Sequence, residues 1–196
     1  NRFIDRPAMH FIHGASDGEV VGEFTGTYWL NAQLWKITGL LPWTMRWTHL
    51  FLWLLGVVSL YKLGKEWLGM QPSAWIVGMV MVSPLMAFYG ANYLVNAAAL
   101  GLVYLGWWSA YCYFQRGQWK SWVVSFLAIT LALLLRPSMA IGLIPMGLAL
   151  FKTRFRWGWL CLLFFPLLIA GLWVVWSQKL NDRAESIYYC TTIRPI

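Results

Sequence analysis

Between positions 47 and 177 the chain carries a single acidic residue, Glu66, while six strongly apolar stretches follow one another at about 47–61, 73–90, 93–114, 121–135, 139–151 and 157–177. A run this long and this poor in acids cannot cover itself with a solvated face. The whole chain is 60% hydrophobic and 11% charged, against ~45–50% apolar and ~25% charged for a soluble domain. The expectation is an all-α membrane protein of about six transmembrane helices. The fourth and fifth stretches are short for a ~30 Å hydrocarbon core. Arg136-Pro137-Ser138 between them reads as a helix break, of the kind tolerated where backbone lines a protein cavity rather than lipid.

The connections alternate in charge. One set holds Lys62 and Lys65, then Arg116 and Lys120, then Lys152, Arg154 and Arg156; the other holds Gly90-Ala91-Asn92, then Arg136, then the two terminal segments, which carry every acid except Glu66. The positive-inside rule puts the first set in the cytoplasm and both chain ends outside. Trp43, Trp47, Trp173 and Trp176 mark the outer interface, and Trp67, Trp75, Trp119, Trp122, Trp157 and Trp159 the inner one. Three regions result: an outer segment with an interfacial helix at 1–46, a six-helix bundle at 47–177, and the start of another outer segment at 178–196.

A net charge of +8 raises nucleic-acid binding, but the fifteen bases are scattered through short loops and form no single patch, so no nucleic-acid partner is expected. Cys112 and Cys161 lie in apolar segments and read as packing residues. Cys190, in a polar tail, is placed to pair outside the chain. Residues Asn1–Pro7 lack the apolar core of a secretory leader, and the chain reads as a piece of a longer polypeptide. P-loop, dinucleotide, haem and serine-hydrolase signatures are missing, as is any acid pair for a proton relay.

The four early acids, Asp5, Asp17, Glu19 and Glu23, precede all of this. Residues 1–25 read as loop with short helices. In residues 26–41, Leu30, Leu34, Ile37 and Leu41 recur as one face of a helix, with Asn31, Gln33 and Thr38 largely off it. That helix is too short and too polar to span, and is expected to lie along the outer interface before Pro42 turns the chain inward. Glu23 sits just before it, outside the membrane and close to the mouth of the bundle, as a solvated carboxylate or one at the positive helix end. His10 and His13 would share a face if their stretch were helical, and with Asp17 and Glu19 they could hold a divalent metal ion, although no HExxH-type spacing is present.

Arg136 is the notable charge in the apolar body. A central arginine costs ~2.5–3.5 kcal/mol on insertion scales, so it faces a cavity or an interface. It either meets lipid headgroups or holds a substrate phosphate through charge-assisted hydrogen bonds. Tyr89, Asn92 and Asn96 lie near the same level. His49 reads as a buried, hydrogen-bonded histidine.

The order of these features resembles a family. Glu23-Phe24-Thr25-Gly26-Thr27-Tyr28 is similar to the Glu-Phe-Pro-x-x-x-Tyr stretch of bacterial GT-C membrane glycosyltransferases, relatives of the protein O-mannosyltransferases and the lipid A aminoarabinose transferase. The similarity runs on through Leu34 to Gly39 and Arg46, through Ser83-Pro84, Tyr89 and Asn92, through Leu135-Arg136-Pro137 against a Leu-Lys-Pro, and through Tyr188 to Pro195. Thr25 replaces a proline, Asn96 stands where many relatives carry an acid, Arg136 replaces lysine, and the family's first span with its following acid is not in this chain.

The resemblance implies a transferase in a bacterial inner membrane that uses a polyprenyl-phosphate sugar donor at the outer face. It implies Glu23 as base, with Asp17 and Asp5 next in line, and Arg136, Tyr89, Asn92 and Arg46 toward the substrate. No cofactor follows beyond that candidate metal ion. Membrane lipid and other membrane subunits are the further expected partners. Two other readings stay open: a non-catalytic membrane subunit on the same scaffold, and a small-molecule transporter.

Overall fold

Two prolines and a handful of glycines decide how the apolar stretches divide into helices. The computed structural model describes residues 9–10, 19–20, 24–39, 41, 43–90, 95–150 and 157–183. Helix α1 is Gly26–Thr38, α2 Trp43–Leu68, α3 Met70–Val82, α4 Pro84–Gly90, α5 Asn96–Arg116 and α6 Trp119–Leu135. A 3₁₀ turn over Pro137–Gly142 leads into α7, Leu143–Leu150, and α8 is Trp157–Arg183. The expected interfacial helix and each of the six apolar stretches coincide with helix, but not with six uninterrupted spans.

Pro84 has no N–H to continue a helix, and it forces Ser83 to φ −54°, ψ 123°, so the second stretch is split between α3 and α4. The fifth is the 3₁₀ turn plus the eight residues of α7. Among the described residues, only α8 is both long and apolar enough to cross a bilayer. Its Trp157–Lys179 portion has 23 residues, about 35 Å at ~1.5 Å per residue. The helix continues to Arg183, past the boundary read at 177.

The front segment departs from expectation as well. Met9–His10 pairs antiparallel with Glu19–Val20, in the register Met9↔Val20 and His10↔Glu19. His10 is thus on a strand rather than a helix, and His13 lies outside the described residues.

Packing in the bundle inverts the rule for proteins in water. Along α6 the small residues Ser125, Ala128, Thr130 and Ala132 are buried together with Ile129, Leu133 and Leu135, whereas Val124, Leu127 and Leu131 face outward. In α8, Phe164, Phe165, Leu168 and Leu172 are exposed while Ala170 and Ser177 are buried. A soluble monomer does not display contiguous apolar surface on this scale. In lipid, large side chains gain nothing by hiding from the solvent, and small residues at helix contacts let backbones approach. The chain is a helical membrane protein.

The closest approach is between α2 and α5. A Cβ on Gly56 would lie 2.2 Å from the Gly101 Cα, and one on Gly101 would lie 2.5 Å from the Leu52 carbonyl oxygen. Alongside, the Ser125 hydroxyl donates to the Gly106 carbonyl (2.9 Å), tying α6 to α5. Trp122 Nε1 donates to the Gly158 carbonyl (3.0 Å), tying α6 to α8. Ser73 donates to the Tyr61 carbonyl (2.8 Å), tying α3 to α2.

Candidate functional site

Helix α1 presents its faces the opposite way round from an amphipathic helix in water. Ile37 is 83% exposed and Leu30 and Trp29 are also exposed, while Thr27 is buried and Asn31 is 1% exposed. The polar side meets α2. Asn31 Nδ2 donates to the Thr27 carbonyl (2.8 Å). The Thr48 hydroxyl donates to Asn31 Oδ1 (3.1 Å) or to the Thr44 carbonyl (2.9 Å), with one proton for the two. Next to Thr48, His49 is fully buried.

The α1–α2 turn is held by Trp35, whose Nε1 donates to the Leu41 carbonyl (2.9 Å) and to the Thr44 hydroxyl. Gly39 makes the turn possible at φ 79°, a left-handed backbone that a side chain would strain. Arg46 is exposed in the first turn of α2, between the exposed Trp43 and Trp47.

Arg136 stands where α6 stops. The proline after it disfavours helix, and Arg136 is extended at φ −148°, ψ 104°. Its N–H still donates to the Ala132 carbonyl (2.9 Å), and its carbonyl accepts from the Met139 N–H (2.9 Å), so the break is braced on both sides. The following 3₁₀ turn is pinned to α5, where Trp107 Nε1 donates to the Gly142 carbonyl (2.7 Å). Arg136 itself is half-buried.

Three segments with candidate residues converge at this end of the bundle. Val95 at the head of α5 and Leu135 at the tail of α6 belong to one buried cluster, and Phe24 packs against it. The Phe24 ring also meets Trp173 of α8 edge-on, with centroids 5.1 Å apart. The residue after Glu23, the residue before Arg136 and the residue before Asn96 thus share a single cluster. Tyr89 packs elsewhere, against the cluster of Trp53, Val57 and Ala97.

Glu23, Asp17, Asp5, His13, Asn92 and Cys190 lie outside the described residues, and of His10 and Glu19 only the backbone is described. Among the described residues no three His, Cys, Asp or Glu side chains come together as metal ligands. Sequence reasoning found the buried His49 but missed the polar seam of Thr27, Asn31 and Thr48 between α1 and α2. The i, i+4 spacing of Thr27 with Asn31, and of Thr44 with Thr48, was its available signal.

The family model for dolichyl-phosphate-mannose-protein mannosyltransferases matches residues 25–177, more than three quarters of the chain. The chain belongs to this family. It is therefore a GT-C superfamily glycosyltransferase, and the family implies a lipid-linked sugar donor in a membrane setting. No curated protein and no solved structure matches the chain. The matched region takes in α1 with its polar seam, Arg46, Tyr89 and Arg136, and begins two residues after Glu23. The mannosyltransferase family match thus covers the braced break at Arg136, whereas a role for Glu23 rests on the Glu-Phe motif alone.

Proposed function

We propose that this chain forms part of the catalytic region of a transferase that moves a sugar from a polyprenyl-phosphate donor to an acceptor at the outer face of a bacterial inner membrane. The observation that carries the reading is the convergence of Phe24, Val95 and Leu135 on one cluster, which supports a shared mouth for the segments that carry Glu23, Asn96 and Arg136. In this reading the six helical stretches cross the bilayer, both chain ends face the periplasm, and α1 lies at the outer interface with Leu30 and Ile37 in lipid. Glu23 takes the proton from the acceptor hydroxyl as its oxygen attacks the anomeric carbon. The bond from that carbon to the donor phosphate breaks, and Arg136 stabilises the charge gathering on the departing phosphate. Asn92 and Arg46 are assigned to the donor side, Tyr89 packing against the separate Trp53 cluster, while Asp17 and Asp5 are the next acids able to serve as base or to bind a divalent ion.

The test is transfer from a lipid-linked sugar by the full-length protein carrying Glu23→Gln. Turnover equal to wild type would remove Glu23 as base.

A further inference from the structure

Of the tryptophans read as markers of the outer interface, two are drawn inward. Trp43 and Trp47 are 62% and 66% exposed, as indoles at headgroup depth are. Trp173 and Trp176 of α8 are half-buried, and their rings meet at 5.1 Å. The bond from Trp122 to the Gly158 carbonyl fixes the start of α8 beside the start of α6. Trp173, far along α8, therefore stands near the tail of α6, where Leu135 and Phe24 share a cluster.

What Trp173 meets there is the Phe24 ring, edge-on at 86° with centroids 5.1 Å apart, a preferred aromatic geometry. The same ring packs on the buried cluster of α5 and α6 that includes Val95, Ala132 and Leu135. Against α1 it sits closer still: a Cβ on Gly26 would come no more than 3.0 Å from three Phe24 ring atoms. Glycine is a poor helix former, and here its missing side chain is what lets the ring fold back over the helix start. One ring is thus gripped by four helices, α1, α5, α6 and α8. Glu23 is the preceding residue, its Cα about 3.8 Å from that of Phe24, so the grip on the ring reaches the backbone that carries the carboxylate.

We propose that Trp173 is a positioning residue for Glu23: through the Phe24 ring it fixes where the base stands relative to the break at Arg136. A base must come within hydrogen-bond reach of the acceptor hydroxyl, and a displacement of about 1 Å can cost ~10²-fold in rate. The inference rests on the transferase reading with Glu23 as base. The effect of Trp173 on the reaction passes through Phe24 and Glu23, which separates it from a residue that only packs.

The test is a set of variants of the full-length protein in the lipid-linked sugar transfer assay. Trp173→Leu keeps apolar bulk and removes the ring. It should lower kcat about 10–100-fold, with donor KM within about twofold of wild type. Trp173→Phe keeps an aromatic edge and should recover most of the loss. Gly26→Ala crowds the ring from the α1 side and should reproduce the fall in kcat, although alanine is the better helix former. In a Glu23→Gln background, Trp173→Leu should cost no further activity, since the group it positions is already gone.

Wild-type kcat in Trp173→Leu would overturn the inference. So would an equal fold-loss in the Glu23→Gln background, a fall in activity that matches a fall in folded protein, or a Trp173→Phe enzyme no better than Trp173→Leu. Each of these, beside a Glu23→Gln enzyme that has itself lost activity, leaves the transferase reading standing. Wild-type turnover of Glu23→Gln instead removes the base, and the inference with it.

Discussion

The two ends of the bundle are built from opposite materials. At the Arg136 end helices stop, the backbone is extended at Arg136, and buried polar groups of α1 and α2 bond one another. At the opposite end, where α2 stops at Leu68 and α5 at Arg116, the space between helices is lined by indole, phenyl and aliphatic groups, with no charged side chain in the lining. Helix breaks bring backbone and side-chain polar groups to depths where chemistry on a phosphate needs them. The aromatic and aliphatic slot at the other end presents apolar surface instead. A substitution that serves chemistry should therefore act at one end only, whereas one in the scaffold between should reach both.

The sharpest way to break that contrast is Glu23→Gln. Removing a general base typically costs ~10²–10⁴-fold in turnover. The expected outcome is a loss of that order in the transfer assay, with an unchanged melting temperature. Next is Arg136→Ala. Losing a charge-assisted hydrogen bond costs about 1.5–3 kcal/mol, which should appear as a rise in KM for the lipid-linked donor. Arg136→Lys should recover most of it, because the family places lysine there. A fall in folded protein equal to the fall in activity would make Arg136 a structural residue.

Gly56→Ala tests the scaffold. Its added methyl would sit 2.2 Å from the Gly101 Cα, and overpacking of this kind costs about 1–3 kcal/mol. Because α2 and α5 reach both ends, donor KM should deteriorate alongside a lower melting temperature. A lower melting temperature with donor KM unchanged would show that the Arg136 end is not coupled to this crossing.

How far these features were legible in the sequence follows from which forces are local. The stop at Leu135 was legible because Pro137 acts on its immediate neighbour. The same logic applied to Pro84, yet the unbroken apolar character of 73–90 concealed the division into α3 and α4. The period of Leu30, Leu34 and Ile37 gave the helix but overran it at Leu41, since the chain turns at Gly39, and a 3.6-residue period reads the same whether the apolar side meets a protein core or lipid. Only the structure shows Asn31 inside and Ile37 outside. The Gly56–Gly101 crossing was not legible, since α2 also carries Gly64 and α5 Gly106, and which glycines meet depends on the whole bundle. Of the candidate site, the surroundings of Arg136 were legible from one charge in an apolar body. Its link to the front segment passes through Phe24, a residue with no chemistry of its own to flag it.

The smallest predicted effect bears on that link. Asn31→Leu removes the amide that joins α1 to Thr48 and would place an apolar side chain against the polar seam. Side-chain hydrogen bonds between membrane helices average only ~0.6 kcal/mol, so the loss in melting temperature should be slight. The consequence for transfer should be larger than the stability change suggests, because α1 follows directly on Phe24 and sets where Glu23 begins. The expected result is a lower kcat with donor KM nearly unchanged. Thr48→Val should reproduce it in part, and the double variant should cost little more than Asn31→Leu alone, since both act on one hydrogen bond. Full additivity of the two would mean that Asn31 and Thr48 act separately, and the polar seam would then not be the element that holds α1 in register with the Arg136 end.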